Sequence, residues 1–137
     1  MNHFAVIDTN VIVSALLTSN KDSATVQVIS KAILGEITPV INNTILSEYK
    51  DVLTRQKFNF PLAVVDYLIT SFEKIGVYHE PKPSGAVLKD MDDLPFFEAA
   101  LELHHNDCYL ITGNTKHFPK LDFIVSPREY LELLNAA

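Results

Sequence analysis

Strand-length apolar runs alternate with longer stretches of helical period along this chain, and that alternation is the pattern of a parallel sheet wrapped by helices. His3 to Asp8 (HFAVID) reads as a first, fully buried strand, Asn10 to Leu17 as a short helix, and Ser23 to Glu36 as a second helix capped by Ser23. Ile37 to Ile41 reads as a strand in spite of Pro39, a residue that sheets confine to edges and bulges. Asn43 and Thr44 stand where they can cap a third helix running to about Arg55, and Pro61 where it can open a fourth that reaches Lys74. Val77 to His79 is a candidate strand, and Glu80 to Asp90, with Pro81, Pro83 and Gly85, a surface crossing. A fifth helix is expected from Leu94-Pro95 to His104, strands at Cys108 to Ile111 and Phe123 to Val125, and a last helix from Pro127 through Leu134. The expected class is α/β with a mainly parallel sheet, whose ligands sit beyond the carboxyl ends of the strands.

At 137 residues, 47% of them hydrophobic and 20% charged, the chain is expected to form one domain and is too apolar to be a disordered tail. With 4 Gly, 7 Pro and no run of about 18 apolar residues, collagen-like, low-complexity and membrane-spanning readings are excluded. Met1-Asn2-His3 lead into the first strand without a basic segment, so no secretory signal is expected and the expected location is cytoplasmic. The single cysteine, Cys108, sits in an apolar run and reads as a small buried hydrophobe. Eleven Lys and Arg against 17 Asp and Glu give a net charge of -6, which argues against gripping nucleic acid by bulk charge.

Chemistry is concentrated in the carboxylates. Asp8 ends the apolar strand Phe4-Ala5-Val6-Ile7 and precedes Thr9-Asn10, which places a charge at the carboxyl edge of the sheet; a helix cap is the simpler reading. Glu48 lies three residues after Ile45 and four before Val52, on the border of the apolar stripe of its helix. Asp93 stands three before Phe96 and four before Phe97 and so heads the inward face of the fifth helix, with Asp90 and Asp92 further out on the rim. Like charges on the inward edges of three separate elements repel unless a cation lies between them. Thr112-Gly113-Asn114 follows the strand ending at Ile111 and adds neutral polar groups at the same edge, as ordinary turn chemistry also would. The five histidines and one cysteine show no zinc-ligand spacing, and hard oxygen donors point to Mg2+ or Mn2+.

Taken in order, AVIDTNVIVSALL (Ala5 to Leu17), ILSEYKDVL (Ile45 to Leu53), DMDDLPFFEAALE (Asp90 to Glu102) and YLITGNTKHFP (Tyr109 to Pro119) resemble the PIN-domain family, most closely the VapC-like toxins of bacterial toxin-antitoxin pairs. The resemblance implies one PIN-like domain over residues 1–137, with three layers and a central, mainly parallel sheet flanked by helices. It further implies a divalent-metal-dependent endoribonuclease, a homodimer, and neutralisation by a small cognate antitoxin protein. Asp8, Glu48 and Asp93 match the family's acids and are the expected catalytic residues. Asp8 and Asp93 are expected as direct ligands of Mg2+ or Mn2+, and Glu48 as a further ligand or as a base. The family's fourth acid commonly takes the third place of a TGD motif, where this chain has Asn114. Asn10 and Thr112 match supporting polar residues, while Asn114 and Lys116 are candidates for positioning substrate. Lys116, His117, Lys120, Lys50 and Arg55 are candidate phosphate contacts.

Other readings stay open at this stage. A general RNA-processing PIN nuclease shares every motif, and a PIN-like binding module would explain Asn114 as the mark of a weakened site. A haloacid-dehalogenase-like phosphohydrolase is similar in placing an Asp after one strand and a Thr after another. That family needs a second acid two residues after the first, where this chain has Asn10.

Overall fold

A computed structural model describes residues 3–136; Met1 and Asn2, on which part of the leader argument falls, lie outside the described residues, as does Ala137. Five strands make one all-parallel sheet: β1 (Phe4–Ile7), β2 (Thr38–Ile41), β3 (Val77–Tyr78), β4 (Cys108–Ile111) and β5 (Ile124–Val125), in the order β3-β2-β1-β4-β5. The helices flanking it are α1 (Thr9–Leu17), α2 (Ala24–Ile33), α3 (Asn43–Leu53), α4 (Leu62–Ile75), α5 (Leu94–Leu103) and α6 (Pro127–Ala136). The α/β class expected from the apolar pattern is therefore what the chain adopts.

β1 is the central strand because it is apolar on both faces. Ala5, Val6 and Ile7 are fully buried, and β1 pairs with β2 on one side and along its whole length with β4 on the other. Pro39 is accommodated for a specific reason. Thr38 donates its N–H to His3 on the β1 side, so the missing donor at Pro39 falls on the opposite side, where β3 has not begun and first pairs at Val40. Gly76 makes that edge possible, since a Cβ there would come within 2.8 Å of the Pro39 carbonyl and 2.5 Å of the Phe72 carbonyl.

Several boundaries differ from expectation. The first helix begins at Thr9. The cap of α3 is Asn42, whose Oδ1 accepts from the Ile45 N–H at 2.9 Å; Asn43 and Thr44 are already on the helix and exposed. Asn42 wins because its Nδ2 also donates to the His79 carbonyl at 3.1 Å, a partner 37 residues away. Pro61 occupies the cap position of α4, one place before the first helical residue. A single 3-10 turn, Met91–Asp93, precedes α5, and it is opened by Asp90, whose Oδ1 accepts from the Asp92 N–H. The 80–90 crossing is fastened to α5: Glu102 accepts from the Lys82 N–H and pairs with His79 at 2.8 Å, and Glu98 accepts from the Ser84 N–H. Ser126 and Glu129 form a reciprocal capping box at the start of α6.

The core centres on Tyr49, fully buried where α3, α4 and α5 meet, with its ring 5.9 Å from Phe72 and 6.1 Å from Phe96. Its hydroxyl donates to the Ile7 carbonyl at 2.5 Å and so joins α3 to the central strand. Cys108 is buried in β4, and burial pushes its thiol up to about 12, far from the range of a nucleophile. Among the described residues no helix is long and apolar enough to cross a membrane.

Candidate active site

The strand order reverses between β1 and β4, and at such a point the carboxyl ends of neighbouring strands leave a crevice. Asp8 leaves β1 there and Thr112 leaves β4 beside it, the two chains tied by the Asp8 N–H to the Ile111 carbonyl at 2.9 Å. Asp8 is buried although it is an acid, and its side chain makes no capping bond to α1. Instead Thr112 Oγ1 donates to Asp8 Oδ2 at 2.8 Å and Asn10 Nδ2 donates to the same oxygen at 3.2 Å. Asn10 Oδ1 accepts from the Gly113 N–H, and Thr112 Oγ1 accepts from the Asn114 N–H, both at 3.0 Å. The 112–114 turn is thus held to Asp8 by side chains that leave no buried polar atom unpaired among the described residues.

Glu48 reaches the same region from α3, half-buried on the border of its apolar stripe, with Oε2 accepting from Thr9 Oγ1 at 2.5 Å. Asp93 arrives from the head of α5 and, like Asp8, caps nothing. His117 Nδ1 stands 3.8 Å from Asp93 Oδ2, close enough to pair with it when the ring is protonated.

The three carboxylates are electrically one group. Burial raises Asp8 from its ordinary 3.8 to about 6, the Thr112 bond opposes the rise, and the charges of Asp93 and Glu48 add to it. Burial likewise raises Glu48, with Asp92, Asp93 and Asp90 repelling it and Thr9 opposing. Asp93 is raised by burial and by Asp90, with His117 pulling the other way. Asp90 and Asp92 are exposed, as expected of rim residues.

Asp8, Glu48, Asp93, Asn10 and Thr112 are therefore brought together. Asn114 and Lys116 lie exposed on the turn that closes the site; Lys120 and Lys116, with Lys89, line a groove further along it. Arg55 does not arrive, since it pairs with Asp51 at 3.0 Å past the end of α3. Thr9 and Tyr49 were not singled out from the sequence as parts of the site. A hydroxyl directly after a strand-ending Asp was the available signal for Thr9; Tyr49 was indistinguishable from its apolar neighbours.

No three His, Cys, Asp or Glu side chains among the described residues are gathered closely enough to enclose a metal ion. The donor set still suits a small hard cation. Mg2+ keeps several waters and is commonly held by one or two carboxylates together with substrate phosphate, not by an all-protein cage. Two or three repelling, partly desolvated carboxylates with no neutralising Lys or Arg bonded to them among the described residues are the donors such an ion needs.

Fold and site define an α/β domain with a carboxylate centre at the switch point of a parallel sheet. The PIN domain family model matches residues 5–116, and the chain belongs to the PIN-domain family. Comparison with curated proteins and with solved structures gave no match. PIN domains are generally nucleases that use divalent metals and bind RNA.

Proposed function

We propose that this protein is a Mg2+- or Mn2+-dependent endoribonuclease that hydrolyses single-stranded RNA, and that it serves as the toxin of a toxin-antitoxin pair, working as a cytoplasmic homodimer restrained by a small antitoxin. One observation carries the nuclease reading: Asp8, Glu48 and Asp93 come from three separate elements, none makes a cap or a salt bridge with Lys or Arg among the described residues, and each is pushed toward protonation. In a structural acid the partners would outweigh burial; here burial and neighbouring carboxylates outweigh Thr112, Thr9 and His117 at each acid.

When bound, a divalent cation supplies positive charge against the phosphate and lowers the pKa of water. Asp8 and Asp93 would hold it. Asp8 is fixed by Thr112 and Asn10, so its orientation does not have to be established when substrate arrives. Glu48 has one oxygen occupied by Thr9 and the other without a partner among the described residues, which leaves Oε1 to accept a proton from the attacking water. Lys116 and the Asn114 amide lie on the exposed turn, where they can donate to phosphate oxygens. In the in-line hydrolysis the water oxygen bonds to phosphorus as one P–O ester bond breaks, leaving a phosphate on one end and, after protonation from solvent, a hydroxyl on the other, with no covalent protein intermediate.

The test is cleavage of labelled single-stranded RNA by purified protein, abolished by EDTA and restored by Mg2+ or Mn2+. Cleavage that continues unchanged in excess chelator would overturn the metal mechanism. The toxin role is supported by the motif resemblance; its test is growth arrest on expression, relieved by co-expression of the product of a small neighbouring reading frame.

A further inference from the structure

A groove of about 490 Å³ opens directly beside the acidic centre, and its chemistry is the opposite of the centre's. Its lining contains Ser14, Ser23, Thr25, Ser126, Asn114 and Arg128, and no carboxylate at all, although the chain carries 17 Asp and Glu. Asn10 belongs to both places: its amide bonds Asp8 and Gly113, and its side forms part of the groove wall. Three hydroxyls form a bonded row across the junction of α1 and α2, Ser14 Oγ to Thr25 Oγ1 at 3.4 Å and Thr25 Oγ1 to Ser23 Oγ at 3.3 Å. Across from them Arg128, exposed at the start of α6, has no ion-pair or hydrogen-bond partner among the described residues.

We propose that this groove is a subsite for a backbone phosphate of the RNA strand flanking the scissile one, gripped by the Arg128 guanidinium and by the one hydroxyl proton that the Ser14–Thr25–Ser23 row leaves free, on Thr25 or Ser23. The inference rests on the nuclease reading and extends it, naming residues outside the acidic centre that set how the strand leaves it. A planar guanidinium matches a phosphate in two-point geometry, and a neutral hydroxyl adds a donor without adding charge. A strand crossing three carboxylates is repelled wherever no cation intervenes, so its neighbouring phosphates favour the nearest carboxylate-free surface. This groove is contiguous with the centre through Asn10.

The experiment compares wild type, R128Q and R128K on two substrates, a single-stranded RNA decamer and a dinucleoside monophosphate that has no flanking phosphate. With R128Q, the preference for decamer over dinucleotide, read as the ratio of kcat/KM values, falls about tenfold, the size of one lost charge-assisted contact. Anisotropy of the labelled decamer in EDTA shows a matching loss of affinity, with the slope of log K against log salt reduced by about 0.7. R128K restores the salt slope and part of the affinity. A purely structural role for Arg128 would depress both substrates alike and leave the ratio unmoved, which overturns the subsite. So does R128Q binding the decamer with wild-type affinity and slope. In either case wild type still cleaves, and the nuclease reading stands. Wild type that neither binds nor cleaves either RNA removes that reading, and this one with it.

Discussion

Replacing Asp8 by Asn removes one charge from the most buried acid of the centre while keeping an oxygen that Thr112 and Asn10 can bond. In the folded chain the carboxyl lies at about 6, against an ordinary 3.8, so the folded form holds its proton more tightly than the unfolded chain does. The sign follows from linkage: stability attached to this group is fully present below about pH 4 and is lost as pH rises through about 6. A rise of about two pH units is worth about 3 kcal/mol, at about 1.4 kcal/mol per unit, and because Asp8 is almost wholly buried little of it is screened. In EDTA at pH 8, Asp8→Asn is therefore expected to be more stable than wild type by about 3 kcal/mol, which for a domain of this size is about 10 °C in Tm. At pH 5 the gap shrinks to about half. Urea and thermal unfolding at both pH values read it directly. Mg2+ then raises the melting temperature of wild type by mass action and that of the variant much less, while cleavage is lost. A helix cap predicts little change with Asn, which caps about as well as Asp, and a loss of about 1 kcal/mol with Asp8→Ala. A variant that melts below wild type at pH 8, or whose advantage persists unchanged into acid, would refute the account of Asp8 as a destabilising charge awaiting a cation.

Thr112→Val removes the hydroxyl that holds Asp8 and counters its rise, so the acid limb of the pH–rate profile should move to higher pH; a limb that stays in place at full activity contradicts this role. Asn114→Asp adds a fourth carboxylate on an exposed turn, so metal-free stability should change by less than about 0.5 kcal/mol while the Mg2+ concentration for half-maximal cleavage falls. Complete loss of activity in that variant with the fold intact would mean that the amide itself contacts substrate.

What the sequence disclosed, and what it withheld, follows the range of the interactions involved. β1 and the acid after it were legible because four consecutive apolar residues ending in Asp break periodicity at one point, and burial on both faces leaves no alternative register. Glu48 was legible as a border residue from helical spacing alone, and the structure finds it half-buried. The cap of α3 was misplaced by one residue because Asn42, Asn43 and Thr44 are all suitable capping types, and the choice among them is made by a bond from Asn42 to His79, far along the chain. The 80–90 segment was legible as a surface crossing but its path was not, because its order comes from Glu98 and Glu102, which accept from backbone N–H groups within it, and nothing in Pro81 to Gly85 announces that. The Arg128 groove left no trace in sequence at all, since its walls come from separate segments, each of ordinary surface composition.

The pairing of β1 with β4 bears on how the protein is made. A ribosome releases Asp8 well before the hydroxyl that fixes its carboxylate, which belongs to Thr112, 104 residues later, and the strand that follows is later still. Until β4 emerges, β1 lacks one of its two neighbours, and the crevice between them does not exist. Domains fold as units during synthesis, and parallel pairing over long separations is slow. A nascent chain of this protein therefore carries its acids before it can fix Asp8, whose orientation waits on β4 and Thr112.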